Sequence, residues 1–322
     1  MSGVQTIPVK PADADQRLDR WFRQHFPSLS FGRLQKLLRT GQVRVDGKRV
    51  KADYRLSAGE QVRVPPLGEA AETPRKAAPA PVRDEDARLL KEAVLYKDDA
   101  VIVLNKPAGL AVQGGTKTGR HLDGMLDALR LGAPERPRLV HRLDRDTSGV
   151  LLLARTRQAA AALSEAFKSR KTRKTYWALV LGVPRPAEGE ITSFMEKDGE
   201  ENEKVRSGDK GQKAVTEYTM IDHAGSKAAW LALRPVTGRT HQLRVHCKQL
   251  GTPIISDGKY GGADAFMDGI SDKLHLHARH ISIPHPVRGT IDVTAPLPPH
   301  MRETWALFEF DPDMKGDPFG DE

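Results

Sequence analysis

The chain has 322 residues, a formal net charge of +9 and a single cysteine, Cys247. That length allows one large domain plus a small one, and one cysteine excludes an internal disulfide and offers no cysteine set for a zinc ribbon. The first residues contain no apolar secretory core and no apolar run approaches about 18 residues, so the expectation is a soluble, cytoplasmic protein. The charge is uneven. Residues 1–64 hold 13 Lys and Arg against 6 Asp and Glu, so +7 of the +9 lies in the first fifth of the chain. A basic small domain beside a nearly neutral large one suggests a polyanion-binding appendage.

In the first 65 residues, Leu18, Trp21, Phe22 and Phe26 fall at helical spacing, and Pro27 stops that helix. Ser30 suits the N-cap of a second helix, with Phe31, Leu34, Leu37 and Leu38 on one face and Gly41 at its end. QVRVDGKRV then alternates as a strand pair turning at Asp46-Gly47, and Gln61 to Val64 is a further short strand. Helix, helix, hairpin and strand over residues 13–65 resemble the S-four-type RNA-binding domain. Arg33, Lys36, Arg39 and Arg44 would line its basic face, as contacts to phosphate that position RNA without reading its sequence.

Residues 66–86, a Pro, Ala and charge mixture without periodicity, read as a flexible linker. A strand, an acidic turn and a buried strand follow between Val94 and Leu104, then the loop Asn105-Lys106-Pro107-Ala108-Gly109, where Lys106 is a candidate phosphate contact. Residues 114–120, GGTKTGR, lack the spaced Gly-Lys-Ser/Thr of a phosphate-binding loop, which argues against a nucleotide triphosphatase. Residues 121–131 have helical spacing.

Residues 139–155, LVHRLDRDTSGVLLLAR, set five ionisable side chains against a buried strand, Val150 to Ala154. Charged groups in such a place are costly unless paired or used. Taken alone, the residues fit a polar turn capped by Asp146 and Thr147 or an Asp acid, base or nucleophile held by Arg. A calcium loop fails because Arg155 stands where a bidentate Glu is needed.

Further on, Thr156 to Lys171 reads as a helix, KTYWAL as a strand bearing Tyr176, and residues 195–213 as an exposed polar hairpin. AVTEYTMI and AAWLALRPV are strands, and TGRTHQLRVHCKQLG, residues 237–251, is a helix closed by Gly251. In LHLHARHISIP, strand alternation splits His275, His277 and His280 between two faces, which argues against a metal site. The end from Asp311 reads as a disordered tail.

The string HRLDRDTSG, with the NKPxG loop, KTYWAL and GRTHQLRVH, resembles the RluA-type pseudouridine synthases, closest to the RluC-like branch that modifies large-subunit ribosomal RNA. The resemblance implies an α+β fold: a small RNA-binding domain, then a catalytic domain over residues 87–310 on a mixed, largely antiparallel sheet flanked by helices. It assigns Asp144 as the catalytic residue, Tyr176 as the aromatic that stacks on the target base and Arg244 as the partner of Asp144. It gives Arg142 to filling the space left by an extruded base, and Leu243 to the pocket. It implies no cofactor and no metal, RNA as partner, and a monomer. Alternatives are a sister enzyme acting on transfer RNA, a non-catalytic ribosome-assembly factor, or a glycosidase. The last needs two carboxylates about 5–10 Å apart, for which Asp146 is the only neighbour.

Overall fold

The computed structural model describes residues 3–67, 82–114, 119–169, 171–197, 205–208 and 211–320. It separates into two compact units, Met1–Ala80 and Pro81–Glu322. Most of the expected linker lies outside the described residues. Among the described residues no helix is long and apolar enough to cross a membrane.

The first unit comprises strand β1 (Gln5–Pro8), helices α1 (Leu18–His25) and α2 (Phe31–Arg39), and strands β2 (Arg44–Val45) and β3 (Gln61–Val64). Helix α1 buries Leu18, Trp21 and Phe22, and the Ser30 hydroxyl caps α2 by accepting from the Arg33 amide. Asp46 and Gly47 both have positive φ, at 48° and 76°, as a tight hairpin turn requires. The return limb of that hairpin is reduced to one bridge, Val45 to Lys48, because β2 pairs with β3 instead. The sheet order is β1-β3-β2, so the unit begins before residue 13, with an edge strand whose short segment gave no periodic signal.

The second unit opens with α3 (Asp84–Glu92), β4 (Val94–Lys97) and β5 (Val101–Lys106), then α4 (Leu122–Met125), β6 (Arg138–Leu139) and β7 (Ser148–Ala154). Helix α5 (Arg157–Lys168) is capped by Thr156, and β8 (Arg173–Leu181), β9 (Glu188–Lys197), β10 (Val205–Gly208), β11 (Gln212–Ala224) and β12 (Ala228–Pro235) follow. Helix α6 (Gln242–Gln249), β13 (Leu276–Pro284), β14 (Thr290–Thr294) and α7 (Pro299–Leu307) complete it. These strands form one sheet in the order β10-β9-β11-β12-β8-β13-β7-β5-β4, with β14 beside β13 and β6 beside β7.

Every pairing is antiparallel except β7 with β13, so the sheet is mixed and largely antiparallel, as the resemblance implied. Strand β7 is buried at all seven positions, with α5 packing Ala159 and Leu163 on one side and Leu122, Leu126 and Leu129 on the other. Helix α6 sets Leu243 and Cys247 against β8 and β12. Helix α7 sets Met301 and Trp305 against Trp177 and Trp230.

Two expectations change. The helix over 121–131 is α4 followed by a 3-10 turn, Leu126–Leu129. Residues 311–320 are fixed against the unit: Arg279 donates to the Pro312 carbonyl, Arg302 pairs with Asp313 at 3.1 Å, and the Arg234 guanidinium lies over the Phe319 ring.

Candidate active site

Asp144 lies in the loop entering β7, and that loop is fastened at three places. The His141 Nε2 accepts from the Leu152 amide at 2.8 Å, and burial, with the Lys174 charge second, lowers its pKa to about 3. The buried Lys106 Nζ donates to the carbonyls of Pro107, Leu110 and Arg145 at 2.8–3.0 Å, which joins the NKPAGL loop to the Asp144 loop. Burial pushes that ammonium down to about 7 against the opposing charges of Asp146 and Asp144. Lys106 therefore does not face phosphate, contrary to expectation: its side chain is an internal strut.

The third fastening is the seam of β7 with β13. Ser148 Oγ lies 2.8 Å from His277 Nδ1, and His277 Nε2 lies 3.2 Å from the Ala295 carbonyl. A carbonyl can only accept, so Nε2 carries the proton and Ser148 donates to Nδ1. At Gly149, φ is +107°, and a Cβ there would fall 2.2 Å from the Ala278 carbonyl oxygen. Only glycine allows the two strands to close at this point.

Two other elements face Asp144. Strand β8 presents Tyr176, half-buried between two core clusters, where burial and then the Asp144 charge raise the phenol pKa, so the hydroxyl keeps its proton at neutral pH. Helix α6 presents Leu243 and Arg244. Its entry is fixed by the buried Gln242, whose amide donates to Val215 and Thr216 while its oxygen accepts from Thr237 and the Arg239 amide. That anchoring places His241 in the left-handed region at φ 54°, a conformation uncommon outside glycine and held by its surroundings.

The partner of Arg244 differs from expectation. Its Nε and Nη2 bind Asp257 at 2.8 and 2.6 Å, whereas no ion pair within 4 Å joins it to Asp144. Burial opposes the guanidinium charge, and the Asp257 bonds and charge, with Asp144 further off, more than offset this and raise its pKa. Asp257 also accepts from the amides of Lys259 and Tyr260. The cationic-capable group nearest Asp144 is His241, with Nε2 at 3.9 Å and Nδ1 2.7 Å from the Tyr260 hydroxyl. Burial lowers the His241 pKa, aided by Arg244 and Lys259 and resisted by Asp144 and Asp257. An anionic Asp144 favours the tautomer with the proton on Nε2, so Nδ1 accepts from Tyr260.

Asp144, His241, Arg142 and Arg244 line two adjoining cavities. One, of about 960 Å³, also includes Tyr176, Leu243, Leu276 and Lys174; the other, of about 720 Å³, is bordered by Gly109, Lys259 and Lys273. Arg142 is exposed and makes no hydrogen bond or ion pair with the described residues. Arg145 holds Asp146 at 3.0 Å, so this neighbouring carboxylate is already paired. In the first unit, Arg33, Lys36 and Arg39 project from the exposed face of α2, while Arg44 is half-buried and donates to the Gly41 and Gly47 carbonyls. His275 and His277 are buried and hydrogen-bonded, and His280 faces out toward Asp292.

A model of the RNA pseudouridylate synthase family matches residues 100–249, and a model of the S4 domain matches residues 16–62. The ribosomal large subunit pseudouridine synthase C of Vibrio cholerae is 37% identical over 306 residues, 93% of this chain and 95% of that protein. The mitochondrial RNA pseudouridine synthase 4 of Arabidopsis thaliana is 35% identical, over 90% of this chain and 79% of its own. Among solved structures, human RNA pseudouridylate synthase domain containing 4 aligns with a TM-score of 0.59 at 27% identity, covering 69% of this chain and 95% of that one.

Proposed function

Because the chain belongs to the RNA pseudouridylate synthase family, and is thus an RNA-modifying isomerase with an S4 domain, we propose that it converts specific uridines of large-subunit (23S) ribosomal RNA to pseudouridine, with Asp144 as the catalytic residue. The substrate follows from the activity for which the Vibrio relative is named, which this chain matches over nearly its whole length. The observation that carries the catalytic assignment is the Asp144 carboxylate standing in the wall shared by two cavities, with the His241 imidazole 3.9 Å away.

In the reaction the N1–C1′ bond breaks, the uracil turns, C5 bonds to C1′, one proton leaves C5 and N1 gains one. No oxidant, reductant or water is consumed. A structured RNA hides the base, so the uridine is extruded into the larger cavity, where Tyr176 stacks on it and Leu243 closes the opposite side. Arg142, without a partner among the described residues, fills the gap left in the RNA. Asp144 acts at the sugar, as nucleophile or as the base that allows a glycal to form. Tyr176 serves as a neutral stacking surface, consistent with its raised pKa, and the apolar walls keep water from the intermediate.

The test is a map of pseudouridine in ribosomal and transfer RNA from cells with the protein, without it, and with Asp144→Asn. Loss at the same few large-subunit uridines in both deficient cells is expected. An unchanged map would remove the catalytic reading, and loss confined to transfer RNA would remove the substrate.

A further inference from the structure

Lys174, on β8 two residues before Tyr176, is a half-buried cation that lines the larger cavity. No hydrogen bond or ion pair joins its ammonium to any described residue. Burial depresses its pKa, and no neighbouring carboxylate opposes that. Two of the other basic groups lining that cavity are answered: Arg234 by Glu217 at 2.5 Å and Arg244 by Asp257 at 2.6 Å. Its neighbour His141 is a neutral imidazole committed to the Leu152 amide, so it supplies no charge.

An ammonium taken partly out of water without a counter-ion is a net cost to the folded chain. A cation kept so, facing a cavity, fits an anion that arrives with the ligand. The strand period places Lys174 and Tyr176 on one face, roughly 7 Å apart along the strand. That separation is comparable to the span between a nucleobase and the phosphate beside it.

We propose that Lys174 receives a backbone phosphate flanking the extruded uridine, so that Tyr176 and Lys174 grip the base and the phosphodiester of one nucleotide. The proposal rests on the uridine-isomerising reading above. It makes Lys174 a substrate-binding residue, absent from the sequence-based set, whose charge serves the bound state and weakens the free one.

The test uses the full chain, Lys174→Met and Lys174→Arg, with a large-subunit ribosomal RNA transcript across a range of KCl. Lys174→Met is expected to raise Kd about tenfold and to flatten the salt dependence by about one unit of slope. Lys174→Arg should retain most of the affinity. Lys174→Met should also unfold at or above the wild-type temperature, because an unpaired, partly buried charge has been removed; a merely structural lysine would move the other way.

In a synthetic stem-loop carrying the mapped uridine, a neutral methylphosphonate on one side of that uridine should weaken wild-type binding by a similar factor and weaken Lys174→Met no further. An unchanged Kd and slope in Lys174→Met, or additive losses with every methylphosphonate, would overturn the assignment and leave a contact to the base instead. The affinity measurements need no turnover. If Asp144→Asn keeps full activity, the functional reading fails and the fate of Lys174 is still decided.

Discussion

Arg244 and Asp257 neutralise one another with side chains 8% and 1% exposed, so truncating either leaves the other charge buried and unanswered. Arg244→Ala and Asp257→Ala are each expected to lower the unfolding free energy by roughly 3–5 kcal/mol, and the double variant by less than the two together; urea denaturation measures all three. His241, with Nε2 3.9 Å from Asp144, is expected to act differently, through a proton turned toward that carboxylate. His241→Gln keeps a donor there and should lose less kcat than His241→Ala, with KM nearly unchanged in both, as steady-state kinetics would report. The motif residues Asp144, Tyr176, Leu243 and Arg142 were legible in the sequence, and they do meet around one pair of cavities. The partner of Arg244 was not legible. Asp257 lies in SDGKYGG, which reads locally as a turn, and only the fold brings it under α6.

Among the elements, the strands flanking the site were readable because apolar runs and alternation survive in the sequence. Strand β1, helix α3 and helix α7 were not, since each is short and ends in proline-rich or charged surroundings that mask its period. The tail was misread because its partners, Arg279, Arg302 and Arg234, are distant in sequence. The seam of β7 and β13 sets the sharpest demand on sequence: Gly149→Ala puts a methyl into the Ala278 carbonyl. It should cost about 3 kcal/mol or more, seen as a lower urea midpoint. On α2, Lys36 and Arg39 face out, with no side-chain partner among the described residues. Lys36→Ala with Arg39→Ala should weaken binding to any structured RNA alike and reduce the salt slope by about two.

Over the whole molecule, acid is the expected weakness. His141 and His277 are held near 3, and His246 and His275 near 4, in each case chiefly by burial. All lie below the ordinary value of about 6.5, so between roughly pH 6.5 and 4 the unfolded chain binds more protons than the folded one. Their contribution to stability is complete above pH 6.5 and is lost as the pH falls, at about 1.4 kcal/mol per unit for each imidazole. Unfolding curves at pH 7 and pH 5 should differ accordingly. The loop bearing Asp144 is tied by Lys106, His141 and Ser148 to three adjacent strands of the sheet, β5, β7 and β13. The Asp144 carboxylate is thus fastened to the scaffold itself and is expected to fail only with it. On warming, turnover and near-ultraviolet ellipticity should vanish along a single curve, with no inactive yet folded species between them.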